Sequence, residues 1–99
     1  MAIVTIKLTD GNVQCIGSVV RLLPAGGKVD VDPDVRVRAV KPSHRLDLRT
    51  SGDYQFRFDA GGGAGPFKLA AVEEGGAILG TSDHPGKIQA GLVLDFRVP

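Results

Sequence analysis

Apolar and polar residues alternate with a period of two along most of the chain, and this pattern constrains the fold more than any other feature. In residues 2–8, Ala, Val, Ile and Leu fall on one side and a mixed set falls on the other. In residues 54–58, all three aromatic residues fall on one side. Because side chains alternate between the two faces of a β-strand, each such run predicts a half-buried strand.

Glycine and proline separate these runs at short intervals. Fourteen glycines and six prolines are spread over 99 residues without a regular period. About eight short runs result, and their spacing of roughly 8–12 residues is typical of sandwiches and small barrels. We therefore predict one all-β domain over residues 1–99, a small antiparallel β-sandwich of about seven to nine short strands.

Turn-forming residues predict where the strands end. Gly17 interrupts the run 13–23 and predicts a bulge or a break there. Asp32-Pro33-Asp34 predicts a turn between two strands, because proline fixes φ and cannot donate to a ladder. Residues 80–87 are polar and predict a loop, which is followed by a last strand over residues 88–98.

A short motif around Tyr54 bears on the kind of sandwich. In Ser51-Gly52-Asp53-Tyr54-Gln55-Phe56, a glycine stands two residues before a tyrosine that begins a strand. This resembles the tyrosine corner of immunoglobulin-like sandwiches, in which the tyrosine hydroxyl bonds back to upstream backbone. Phe56 occupies the position of the second cysteine of antibody domains, so their inter-sheet disulfide is ruled out. The same pattern is found in jelly-roll modules, so immunoglobulin-like and jelly-roll-like topologies both remain open.

Charge, cysteine content and hydropathy limit the classes of partner. A formal net charge of +1 gives the chain no overall field that would attract nucleic acid or an anionic membrane. The single cysteine, Cys15, excludes an intramolecular disulfide and favours a reducing compartment. The first eight residues lack the features of a signal peptide, and no apolar run approaches the ~18–20 residues that cross a bilayer. We expect no nucleic-acid partner, no membrane insertion, and a protein that is cytoplasmic or assembled into a particle.

Three carboxylates at alternate positions suggest a metal site. Asp30, Asp32 and Asp34 are spaced closely, and Ca²⁺ takes six to eight oxygen ligands that such residues can supply. An EF-hand is excluded, because Val35 and Lys41 stand where that loop needs glycine and glutamate. The alternative is a solvated turn whose charged side chains prevent another chain from pairing with the strand edge.

Arginines that stand opposite apolar positions on their own strands suggest an anion site. They are Arg36, Arg38, Arg45, Arg49, Arg57 and Arg97. If their strands are neighbours, several guanidinium groups share one outer face and can bind phosphate, sulfate or carboxylate. We single out Arg36, Arg38, Arg57 and Arg97 as the candidate anion-binding set. Asp47, Asp59 and Asp95 are interleaved with the arginines, and cross-strand Arg–Asp pairing is the alternative.

Residues with catalytic potential do not form a recognisable constellation. The glycines of 61–65 lack the following helix of a phosphate loop, and the segment 80–87 has one residue too many for that motif. His44, His84 and Cys15 lack the close-spaced pairs of a zinc or copper site. Ser82, Asp83 and His84 are the residue types of a triad, but adjacent side chains rarely reach triad geometry. We expect no enzymatic activity and no cofactor other than a Ca²⁺ ion at Asp30–Asp34.

These observations favour a structural or protein-interaction module. Ile3, Val13, Val40 and Val93 fall on the second faces of their strands, and exposed apolar residues there indicate self-association or docking. Such a module is a homo-oligomer, a virion or filament subunit, or an accessory domain. The alternative is a sandwich that binds Ca²⁺, an anionic group or a glycan. Glycan binding is disfavoured, because the aromatic side chains of residues 54–58 are predicted to face the core.

Overall fold

The computed structural model describes residues 2–63, 65–86 and 90–99. Its regular structure consists of eight β-strands, and no helix is found in these residues. The strands are β1 (Ala2–Asp10), β2 (Gln14–Leu22), β3 (Lys28–Arg38), β4 (Ser43–Leu48), β5 (Gly52–Gly61), β6 (Phe67–Glu73), β7 (Ile78–His84) and β8 (Leu92–Val98). Within the described ranges, no helix is long and apolar enough to cross a membrane.

The strands form two antiparallel sheets of four strands each, packed face to face. Sheet I has the order β4-β1-β6-β7, and sheet II has the order β3-β2-β5-β8. Only the β2–β3 and β6–β7 connections join neighbours within a sheet, and the other connections cross from one sheet to the other. The predicted all-β sandwich is confirmed.

The core lies between the sheets and is built from the alternating apolar positions. Tyr54, Phe56 and Phe58 of β5 are buried, as the sequence pattern predicts. They are joined by inward-facing residues of the other strands, and none of the described buried residues is charged. The predicted exposure of Val13 is wrong. Val13 is fully buried, because it precedes β2 on the same side as the inward-facing Cys15.

Predicted strand boundaries are also wrong in two regions of the chain, around residues 32–34 and around residues 80–91. Asp32-Pro33-Asp34 is not a turn, because β3 runs without a break from Lys28 to Arg38. Its pairing with β2 shifts register here, so the proline sits at an irregularity of an edge strand, where no ladder donor is needed. The predicted loop 80–87 is strand β7 as far as His84. The strand predicted at 88–98 begins at Leu92, and residues 87–89 lie outside the described residues.

Two glycines allow strands to approach more closely than any side chain permits. A Cβ atom on Gly17 would lie 1.8 Å from the Arg57 carbonyl oxygen, which belongs to the neighbouring strand β5. The register shift predicted near Gly17 is present, between β2 and β3. A Cβ atom on Gly80 of β7 would lie 2.1 Å from the Asp95 carbonyl oxygen of β8. The β7 edge of sheet I is therefore pressed against the β8 edge of sheet II.

Candidate functional site

The candidate anion-binding arginines lie on sheet II, but they do not form one cluster. Arg36 and Arg38 lie on β3, Arg57 on β5 and Arg97 on β8, all on strands of that sheet. They are separated along and across the sheet, because β2 lies between β3 and β5. The other two arginines of the sequence pattern belong to β4 and the segment that follows it, next to sheet I.

Most of these arginines have polar partners on the same sheet. Arg36 Nε donates to Asp34 Oδ1 at 2.9 Å, and Arg97 Nη1 lies 3.6 Å from Asp53 Oδ1. Arg57 Nε donates to Gln55 Oε1 at 2.9 Å. The Gln55 amide in turn donates to Asp95 Oδ1 at 2.8 Å, so a hydrogen-bonded chain crosses from β5 to β8. Local pairing of this kind makes the outer surface of sheet II a mixed-charge surface.

An apolar depression lies beside this polar chain on the outer face of sheet II. Its volume is about 460 Å³, and Ile16, Leu92 and Val93 are among the residues that line it. Ile16 is 42% exposed and Val93 is 40% exposed. A second depression of about 350 Å³ shares Ile16 and Asp59 with the first, so the two form a shallow groove beside β2 and β5.

The three carboxylates of the predicted metal site are directed to different partners. Asp32 Oδ2 accepts a hydrogen bond from His44 Nε2 of β4 at 2.9 Å, and its Oδ1 accepts one from the Asp34 backbone N–H. The Asp34 side chain binds Arg36, and Asp30 lies 3.7 Å from Lys28 Nζ. Across the part of the chain that the structure describes, no three acidic, histidine or cysteine residues are grouped as metal ligands would be. The calcium site remains a hypothesis.

A basic pocket lies where β3 turns into β4. It has a volume of about 240 Å³ and is lined by Asp34, Arg36, Arg38, Lys41 and His44. Arg38 and Lys41 bond to each other through both backbone groups, at 3.2 Å and 3.0 Å, which closes a tight turn. Sequence reasoning singled out Arg36 and Arg38 but missed Lys41 and His44. The sequence carries a signal for this grouping. A short connection after a strand that ends in basic residues returns the chain alongside that strand, so the next basic residues lie close to those of the strand.

Ser82 and His84 come together at one end of the core. Ser82 Oγ lies 2.8 Å from His84 Nε2, and the imidazole ring stacks on Phe67. Burial lowers the pKa of His84, and the nearby Asp83 carboxylate acts in the opposite direction. Asp83 pairs with Lys68 in the ladder and stands between Ser82 and His84, so its side chain points to the opposite face of β7. The three residues therefore do not have the arrangement of a triad.

Cys15 is buried in the core, as its apolar surroundings in the sequence predict. Burial raises the pKa of its thiol to about 12. Because only the thiolate is a nucleophile or a metal ligand, Cys15 acts at neutral pH as a small apolar residue.

Comparisons with known proteins add no relative to this description, since no family model, curated protein or solved structure matches the chain.

Proposed function

We propose that this chain is a non-enzymatic structural module that associates with a second copy of itself through the outer face of sheet II. The observation that carries the proposal is the groove lined by Ile16, Leu92 and Val93, because the Ile16 and Val93 side chains lie exposed on the outer face of this four-stranded sheet. Apolar surface of this kind gains free energy when a partner removes it from water.

The charges around the groove favour a second copy over a strongly charged partner. The outer face of sheet II and its β3 edge carry five basic and five acidic residues. They are Lys28, Arg36, Arg38, Arg57 and Arg97, with Asp30, Asp34, Asp53, Asp59 and Asp95. A face with balanced, interspersed charges can be complementary to itself when two copies meet about a two-fold axis. The same balance gives no preference for nucleic acid.

The size of the face is suitable for a stable contact. The four strands of sheet II contain seven to eleven residues each. With strands about 4.8 Å apart, such a face projects on the order of 600 Å². A standard dimer buries about 800 Å² of accessible surface on each partner. Projecting side chains make the accessible surface of a sheet face larger than its flat projection, so one face of sheet II comes close to that value.

Two further features bear on the chemistry of the chain and on the kind of sandwich. The separation of Asp83 from Ser82 and His84 disfavours acyl-transfer chemistry. The Tyr54 hydroxyl donates to the Thr50 carbonyl, which supports the tyrosine-corner resemblance. The resemblance is limited to the segment around Tyr54, because β1 and β2 lie in different sheets here, whereas the corresponding first two strands of immunoglobulin domains lie in the same sheet.

The test is the native mass in solution, measured by size exclusion with light scattering from about 10 µM to about 1 mM, a range that covers weak dimers. We expect a mass above the 10.4 kDa of one chain. If the two copies meet about a two-fold axis, the mass reaches a plateau at that of two chains. A mass that keeps growing indicates head-to-tail contacts, which build a filament or a shell. A 10.4 kDa monomer at every concentration contradicts self-association.

The calcium hypothesis for Asp30, Asp32 and Asp34 has a separate test. Binding of Ca²⁺ to the folded state raises the melting temperature by mass action. A rise at millimolar Ca²⁺ that Asp30→Asn abolishes would support the site, and Asp30 is chosen because the partner found for it among the described residues is a surface lysine. No rise would remove the hypothesis.

A further inference from the structure

The basic pocket at the β3–β4 turn lies at the border of the proposed dimer face, with which it shares Asp34, Arg36 and Arg38, and its whole lining comes from one chain. We propose that Arg36, Arg38, Lys41 and His44 form a binding site for a phosphate-type oxyanion, such as inorganic phosphate or a phosphate monoester. The four side chains line one cavity of about 240 Å³, and they come from the end of β3, the turn and the start of β4.

Arg38 and Lys41 supply the first argument. The two residues stand directly opposite each other in an antiparallel bridge, and their backbones are fixed by two hydrogen bonds. Directly opposed like charges destabilise a β-pair unless an anion lies between them. Over residues 2–63, 65–86 and 90–99, neither side chain forms an ion pair with a carboxylate. An oxyanion bound between them would remove the repulsion.

The second argument is the orientation of the other two residues. Asp34 binds Arg36 through Nε, which holds the guanidinium in place, and no described residue forms a hydrogen bond with its terminal nitrogens. Asp32 accepts a hydrogen bond from His44 Nε2, which fixes the orientation of the ring where it lines the cavity. Each side chain is therefore positioned before a ligand arrives, so less conformational entropy is lost on binding.

The chemistry of the donors selects the ligand. Two guanidinium groups offer paired N–H donors that match the oxygens of phosphate, and a lysine adds a point charge. Three permanent positive charges face one lining carboxylate, that of Asp34. This balance favours a dianion over a monoanion and disfavours a metal cation.

The test is a titration of the whole chain, followed by amide NMR, with sodium phosphate against sodium chloride at equal ionic strength. We expect saturable shifts that are concentrated in residues 34–44. Replacing Arg38→Gln together with Lys41→Gln should weaken binding about tenfold or more, since charge-assisted hydrogen bonds are lost. The matched control, Arg45→Gln with Arg49→Gln, removes the same charge outside the pocket and should change the affinity less than about twofold.

Several results would overturn the proposal. These are shifts that do not saturate, shifts centred outside residues 34–44, and equal weakening by the control pair. If the Arg38 and Lys41 pair of substitutions prevents folding, the location and saturation of the wild-type shifts decide the question. Acetate that binds as tightly as phosphate would contradict the selection of a dianion. Methyl phosphate distinguishes two sources of the ligand, because tighter binding than inorganic phosphate indicates an ester and equal binding indicates the free ion.

Discussion

The two long sides of the sandwich are closed in different ways. On one side β7 meets β8, and Gly80 brings the backbones so close that no side chain fits between them. On the other side β3 meets β4, and the described contact between their side chains is the hydrogen bond from His44 to Asp32. The first side is closed by backbone packing, and the second is bridged by polar groups and contains the basic pocket.

This difference bears on the proposed docking surface. An exposed strand edge is a template for strand addition, and Val29 and Val31 of β3 are exposed at such an edge. However, Pro33 and the register shift of β3 interrupt that edge, and Lys28 and Asp30 add charge to it. Because one side is closed by backbone packing and the other carries proline and charge, we propose the outer face of sheet II, and not a strand edge, as the docking surface.

The largest predicted effect concerns the closed side. Gly80→Ala places a methyl group against the Asp95 carbonyl, so β7 and β8 must separate. We expect a loss of about 2–4 kcal/mol in the free energy of unfolding, measured by urea denaturation. The control is Gly61→Ala, where a Cβ atom meets nothing within 4 Å and φ is not positive. A similar loss in both variants would contradict the account of the closed side.

A smaller effect is expected from acidification, and it again concerns β7. The pKa of His84 is lowered by burial, so the unfolded chain takes up a proton at a higher pH than the folded chain. The contribution of His84 to stability is present above its ordinary pKa of 6.5 and is lost as the pH falls through the lowered value. The melting temperature should fall between about pH 7.5 and pH 5, and His84→Gln should reduce the fall. An equal fall in both proteins would assign it to other groups.

The smallest effect is expected on the polar side. His44 and Asp32 are about a quarter exposed, and such pairs are partly screened by water. A double-mutant cycle with His44→Ala and Asp32→Ala should give a coupling of about 0.2–1 kcal/mol. A coupling as large as the loss caused by Gly80→Ala would mean that this hydrogen bond contributes as much to stability as the backbone packing of β7 against β8. That result would contradict the comparison of the two sides.

The sequence predicts the strands better than their order. Alternation identifies the buried face of β5, because Tyr54, Phe56 and Phe58 share one side. It fails at Pro33 and at residues 80–84, because an edge strand tolerates proline and a polar strand with one half-buried face looks like a loop. Strand order depends on which connections cross between the two sheets. The alternation of apolar and polar residues within a strand does not indicate which connections cross.

The candidate sites show the same limit. The arginines were identified from their positions opposite apolar residues, but their grouping depends on which strands are neighbours. The basic pocket combines Arg38 with Lys41 and His44, three residues from a strand, a turn and a second strand. The approach of β3 to β4 brings them together, and this contact could not be derived from the alternation.

The most direct test of self-association through sheet II is a comparison of native mass at one high concentration. The proteins are the wild type, Val93→Lys and Ile78→Lys. Val93 lies on the outer face of sheet II, and Ile78, which is 67% exposed, belongs to edge strand β7 of sheet I. We predict that the wild type and Ile78→Lys have equal masses above that of one chain, whereas Val93→Lys is a monomer. A Val93→Lys protein that keeps the wild-type mass, or a monomeric wild type, would contradict the account.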